Sequence, residues 1–432
     1  MSTFRTHIAR HFVRLYTHPV LRRVRRAKAT LVRKLTGRKA QVHYFHQADD
    51  PYSHLCVQVL QGLAGAYDIR LIPHLVNPPQ DSAAPERVRL AHWSLRDAGT
   101  LARVYGLHAP RPDAGNPSPA AVQATEAALT AALDNGTFIM QAAALSADLW
   151  NGHAMPTHGA SAPRVAECKA QGDALRKRNG HYLGGTFYYG GEWYWGLDRL
   201  HHLEERLREE GLCRGNAFPR IAPVHEITLT PLQGQRPAPD TTLDYFCSFR
   251  SPYTYLALPR ARALAAHYGA HLRVRFVLPM VMRGLPVPVE KRLYIVSDVA
   301  REAQRLGLPF GNAVDPVGKP VERGYALLHR AIAQGKGVEF AASFLQGVWA
   351  DGLDAGTDAG LNTIAARAGF DVAWVQQSLR NTEWQAVAAA NREELLALDL
   401  WGVPSFRVND LPGQWGQDRL WVIEQELRST LG

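Results

Sequence analysis

The chain has 432 residues, 46% of them hydrophobic and 20% charged, which is enough for two globular domains that each bury a core. Its net charge of +10 does not predict a nucleic-acid partner: twelve Lys or Arg and no acid fall in residues 1–40, and without them 37 basic residues face 39 acidic ones. The four cysteines, at positions 56, 168, 213 and 247, form neither a CxxC pair nor a zinc-like cluster, so a reduced cytoplasmic setting and no bound metal are expected.

Residues 1–40 read as two short amphipathic basic helices separated at Pro19, with Phe4, Ile8, Phe12, Leu15, Val24, Leu31 and Leu35 among the Arg and Lys. Such helices can lie on an anionic membrane surface, peripheral to an inner membrane, or bind an acidic partner; the alternative is a partly disordered extension or a helix packed on its own body. Basic residues run throughout this stretch without the uninterrupted apolar core of a signal peptide, so export is not expected. No stretch of the chain approaches the ~20 apolar residues of a membrane span.

From Gln41 onward the chain matches itself at an offset near 200 residues. Tyr44-Phe45 meets Tyr245-Phe246, Pro51-Tyr52 meets Pro252-Tyr253, Tyr67 meets Tyr268, Asp97 meets Asp298, and Gly106-Leu107 meets Gly307-Leu308. After small shifts Trp150 meets Trp349, and the run 196–200 (Gly-Leu-Asp-Arg-Leu) meets 416–420 (Gly-Gln-Asp-Arg-Leu). Two copies of one domain are expected, at 41–211 and 241–432. The Pro- and Gly-rich residues 212–240, including Pro219, Pro223, Pro231, Pro237 and Pro239, form a linker in which 224–229 could add a strand.

In the second copy, residues 243–248 read as a strand, 252–268 as a helix and 271–278, alternating Leu272, Val274, Phe276 and Leu278, as a second strand. Helices follow over 290–306, 323–334, 338–350, 360–368, 372–381 and 382–398, then a strand at 402–408, a Pro-Gly turn and a closing helix at 417–427. The predicted fold class is α/β: two tandem thioredoxin-like domains, each with an inserted all-helical subdomain.

Ser251 is the residue this plan isolates. It stands where the first strand turns into the helix; Ser is a favoured N-cap, and Pro252 suits the first helical position. A hydroxyl there lies beside unpaired backbone N–H groups and the positive end of a helix dipole, an environment suited to an anion or thiolate as well as to plain capping. Cys247 lies within an apolar strand and reads as a small core residue. The histidines of the first copy have no zinc spacing.

The second copy resembles the 2-hydroxychromene-2-carboxylate isomerase and kappa-class glutathione transferase family of the DsbA-like thioredoxin superfamily. Three motifs carry the resemblance, in order: 251–256 (Ser-Pro-Tyr-Thr-Tyr-Leu), where disulfide-exchanging relatives have Cys-x-x-Cys; 291–301 with 306–310; and 401–406 (Trp-Gly-Val-Pro-Ser-Phe) with 415–420. The resemblance implies glutathione as cofactor, its sulfur held by Ser251, its backbone by Val403 beside a cis Pro404, and its γ-glutamyl end by Gln417 and Asp418. Arg283, Lys291 and Tyr253 are candidates for contacting an electrophilic or aromatic small-molecule substrate. The implied activity is isomerisation, in which a thiolate adds reversibly to an unsaturated aromatic-derived substrate and then leaves. The alternatives are net glutathione transfer and a non-catalytic thioredoxin-like scaffold.

The chain departs from the family pattern at Gln417, where serine is usual, and around 320–323, where an Asn-bearing segment is expected. The first copy departs further: Asp50 replaces Ser251 and Gly185 replaces Pro404. An acid there repels a thiolate. The first copy is therefore expected to be catalytically degenerate and to pair with the second as an intramolecular pseudo-dimer, the alternative being that Asp50 serves as an acid or base.

Overall fold

The computed structural model describes residues 2–111, 115–154, 158–215, 219–235 and 240–431, with side chains from residue 8 onward. Pro237 and Pro239 of the expected linker, and the side chain of Phe4, lie outside the described residues. The elements are α1 (Ser2–Thr17), α2 (Pro19–Leu35), β1 (Ala40–His46), α3 (Pro51–Gln58), α4 (Leu60–Ala66), β2 (Ile69–Leu75), α5 (Arg87–Tyr105), α6 (Pro119–Asp134), α7 (Phe138–Asn151), α8 (Ala162–Arg178), β3 (Thr186–Tyr189), β4 (Glu192–Trp195) and α9 (Gly196–Glu209). They continue as β5 (Thr242–Cys247), α10 (Pro252–His267), β6 (His271–Phe276), α11 (Val289–Arg305), α12 (Lys319–Ala333), α13 (Gly337–Gln346), α14 (Asp358–Arg367), α15 (Val372–Ser378), α16 (Trp384–Ala397), β7 (Ser405–Val408), β8 (Gln414–Trp415) and α17 (Leu420–Ser429).

Contacts divide the chain into two units. The N-terminal unit comprises Arg23–Val224 with Pro288–Tyr294, and the C-terminal unit comprises Met1–Arg22, His225–Val287 and Ile295–Gly432. The basic extension is thus not a separate piece, since α1 falls in one unit and most of α2 in the other.

The N-terminal unit carries a sheet of order β2-β1-β3-β4, with β1 and β2 parallel and the remaining pairs antiparallel. Its core includes Tyr44, Leu55, Leu63, Leu71, Phe187 and Leu200, all buried.

The C-terminal unit has the order β6-β5-β7-β8, with β5 and β6 parallel and β7 antiparallel to both β5 and β8. The crossover between β5 and β6 is α10, as the strand–helix–strand pattern requires. Its core runs through Leu243, Tyr245, Leu256, Leu264, Phe276, Phe344 and Phe406, with α11 to α16 forming the helical insertion between β6 and β7.

Several boundaries differ from the sequence expectation. The helix expected over 338–350 is α13 followed by one π turn, Gly347–Asp351, closed by Gly352 at φ 72°. Residues 224–229 form no strand; instead Thr228 and Thr230 donate their backbone N–H groups to the Glu424 carboxylate at 2.6 and 3.2 Å. The expected Pro-Gly turn contains β8, whose Trp415 ring lies so close to Gly402 that any side chain there would collide with it.

On β5, Asp244 is fully buried and accepts from Arg273 and Arg407 at 2.8 and 2.9 Å and from Arg275 at 3.1 Å. Removing the carboxylate leaves three guanidinium groups beside one remaining acid, Glu394. We expect Asp244→Asn to lower unfolding free energy by about 3 kcal/mol, the low end for a broken buried pair because the arginines keep some solvent; urea denaturation checks this, and a change near zero would show the cluster to be dispensable.

Candidate active site

The site is built where α10 begins. Ser251 is its N-cap, in extended conformation at φ −95° and ψ 111°, and Pro252 takes the first helical position. Its hydroxyl oxygen accepts from the Thr254 N–H at 3.3 Å and its hydroxyl proton is donated to the Val403 carbonyl at 3.2 Å. Thr254 lies where the second cysteine of a CxxC motif would stand, and its hydroxyl accepts from Ser248 N–H at 3.5 Å.

The Val403–Pro404 peptide is cis. The Pro404 carbonyl accepts from Gly416 N–H at 2.9 Å, which sets the short 3-10 turn Gln417–Arg419 against the same loop. Three segments far apart in sequence, at 251, 403–404 and 416–418, therefore meet in one place.

The other residues singled out in the sequence have definite positions. Gln417 is buried: its amide oxygen accepts from Arg260, and its amide nitrogen donates to Glu302 at 3.2 Å and to Asp418. Its side chain thus steadies the half-buried Asp418 carboxylate from behind instead of opening toward a ligand. Arg283 donates to the Trp401 carbonyl at 3.0 Å, tying the turn Met280–Arg283 to the loop that carries Val403.

Tyr253 donates its hydroxyl to Asp298 at 2.7 Å, and Asp298 accepts from Arg301 at 2.9 Å. Lys291 belongs to the N-terminal unit, where its ammonium donates to the Ala83 carbonyl at 2.8 Å and burial lowers its pKa to about 8. It is not grouped with Ser251. Sequence reasoning missed Arg260 and Glu302, whose partnership with Gln417 spans more than a hundred residues and leaves no local signal.

Cys247 is fully buried four residues before Ser251, and burial pushes its thiol pKa far up, which suppresses the thiolate needed for disulfide exchange. The cysteines of the chain are all free.

The N-terminal unit shows the same bonds at the matching positions. Tyr52 donates to Asp97 at 2.8 Å, as Tyr253 does to Asp298, and Tyr44 donates to the Ser53 carbonyl at 3.0 Å, as Tyr245 does to that of Thr254 at 2.7 Å. Tyr67 and Tyr268 each donate to a carboxylate, of Glu204 and Glu424, at 2.9 Å. Gly196 N–H meets the Gly185 carbonyl at 2.8 Å, as Gly416 meets Pro404. The N-cap is Asp50, which accepts from Ser53 N–H and hydroxyl at 2.8 and 2.7 Å; burial raises its pKa to about 6 against the pull of those bonds.

A DsbA-like thioredoxin domain matches residues 242–428, and the C-terminal part of the chain therefore carries that domain. The chain is distantly similar to 2-hydroxychromene-2-carboxylate isomerase of Pseudomonas putida, 23% identical over 196 residues covering 43% of this chain and 93% of the relative. Among solved structures, the selenomethionine form of a 2-hydroxychromene-2-carboxylate isomerase is 22% identical with a TM-score of 0.37, covering 44% of this chain and 95% of that one. The cytosolic disulfide reductase DsbM of Pseudomonas aeruginosa is 22% identical with a TM-score of 0.35, covering 44% and 99%.

Two outcomes are expected. Ser251→Ala loses both the cap and the bond to Val403, costing about 2 kcal/mol of stability, whereas Ser251→Asp keeps the cap and loses only that bond, costing about 1 kcal/mol; matched denaturation curves check this. Asp50 binds its proton more tightly folded than unfolded, so its contribution is greatest below about pH 4 and is lost as pH rises through about 6. The stability difference between wild type and Asp50→Asn should therefore fall from pH 4 to pH 7, and a flat difference would contradict the buried-carboxyl assignment.

Proposed function

We propose that the C-terminal domain is a glutathione-dependent isomerase acting on an unsaturated aromatic-derived substrate. The observation that carries this reading is the Ser251 hydroxyl at the start of α10, 3.2 Å from the Val403 carbonyl. A hydroxyl has one proton and two acceptor lone pairs. One lone pair serves the helix cap, so the proton can turn from Val403 to a thiolate without uncapping α10. A sulfur there would also face the positive end of the α10 dipole.

The donor set suits the tripeptide. Val403 offers backbone groups of the kind an added strand pairs with, and Asp418 offers a carboxylate for an ammonium group, held in place by Gln417 and, behind it, Arg260 and Glu302. Glutathione would supply the nucleophilic sulfur. The chain's own contribution is to hold that sulfur ionised at Ser251 and to fix the peptide along Val403 and Pro404. The absence of a CxxC pair from the sequence argues against disulfide exchange, and the likeness to a curated isomerase over nearly its whole length favours isomerisation.

The matching strand order and matching tyrosine–carboxylate bonds support a further part of this reading: the N-terminal unit is a degenerate copy of the same domain. Its carboxylate at position 50 would repel a thiolate where Ser251 would hold one, and its own Ser53 already engages it.

Titration calorimetry of the full chain with reduced glutathione tests the proposal. Wild type should bind, Ser251→Ala should bind about tenfold or more weakly, as for a lost bond to a charged group, and Ser251→Asp should not bind although it folds. Failure of wild type to bind removes the reading. Consumption of glutathione during turnover would replace isomerase with transferase.

A further inference from the structure

An amphipathic helix on a folded protein ordinarily turns its apolar stripe inward. The two N-terminal helices do the reverse. In the part of α2 that belongs to the N-terminal unit, Arg26 makes a two-pronged contact with Glu192 at 2.7 and 2.8 Å, and Arg33 reaches Glu210 at 3.4 Å. At about 3.6 residues per turn, Val24, Leu31 and Leu35 fall on the opposite side of the helix. They are 57%, 57% and 77% exposed. Arg23, Lys28 and Lys34 are exposed as well, along the margins of that stripe.

In the C-terminal unit α1 repeats the pattern. Arg10 donates to Asn312 at 2.6 Å, Val13 lies against the core and Thr17 is buried, while Ile8, Phe12 and Leu15 on the other side are exposed. The inward contacts include specific polar ones, from Arg10, Arg26 and Arg33, and these fix the rotation of each helix. The outward apolar face is therefore a product of the fold.

The occupant of that face must accept apolar side chains and positive charge together. A second copy would set two like-charged segments against each other, because residues 1–40 hold twelve basic residues and no acid. An anionic bilayer meets both needs, its acyl boundary taking the stripe and its phosphates the flanking Lys and Arg. No helix among the described residues is long and apolar enough to cross a membrane, so the contact lies in the plane of the surface.

We propose that α1 and α2 seat this protein on an anionic lipid bilayer, through the apolar stripes that their arginine-anchored rotation leaves facing outward. Co-sedimentation of the full chain with vesicles tests this. Wild type should pellet with vesicles of phosphatidylcholine containing phosphatidylglycerol, far less with pure phosphatidylcholine, and less as salt is raised. The double variant Val24→Glu/Leu31→Glu should bind about tenfold or more weakly with an unchanged melting temperature, since both side chains are already in water. Lys28→Gln/Lys34→Gln, which leaves the apolar stripe intact, should also weaken binding to the anionic vesicles. Wild type remaining in the supernatant with anionic vesicles, whether or not it binds an acidic polypeptide, overturns the proposal, as does undiminished binding by the Val24→Glu/Leu31→Glu protein.

Discussion

The first backbone N–H groups of α10 have no partners within the helix, and the way they are answered shapes the C-terminal domain. Ser251 accepts from one of them and at the same time donates to Val403, so the helix start and the loop before β7 are joined by a single hydroxyl. From that junction the Pro404 carbonyl takes Gly416 N–H, which brings the turn bearing Asp418 to the same place. A second tier of contacts then fixes each piece: Arg283 on Trp401, Glu302 and Arg260 on Gln417, and Asp298 on Tyr253. The side chains that face the site are few, and most of the surrounding chemistry holds them still.

The N-terminal unit offers a comparison, because its α3 also begins at a capping side chain followed by proline. Asp50 caps α3 as well as Ser251 caps α10, and the tyrosine network behind it is kept. A carboxylate has no proton to donate when ionised, and the carbonyl that meets Gly196 belongs to Gly185, whereas the one that meets Gly416 belongs to Pro404. A helix start of this kind accepts either cap, while the chemistry available at the cap differs between hydroxyl and acid.

Strands β5, β6 and β7, the α10 crossover, the N-cap at Ser251 and the two basic helices were legible because each depends on local pattern: alternation, a cap residue before Pro, or an apolar residue at every third or fourth place. What was not legible depends on distant side chains. Gln417 reads locally as a first-turn residue open to a ligand, and only Arg260 and Glu302 show that it is buried. Amphipathicity in α2 is plain from sequence, but which face turns outward is decided by Glu192 and Glu210, more than 150 residues away. Likewise Lys291 sits on a helix whose first turns belong to the N-terminal unit, a division that no motif encodes.

The central claim is that Ser251 and the α10 N-terminus stabilise a thiolate. Ultraviolet titration of glutathione bound to the full chain measures this directly, because the thiolate absorbs where the thiol does not. The bound thiol should titrate well below the ordinary value of about 8.5 and return toward it in Ser251→Ala. A bound thiol with an ordinary pKa, or one equally lowered without the Ser251 hydroxyl, would contradict the account.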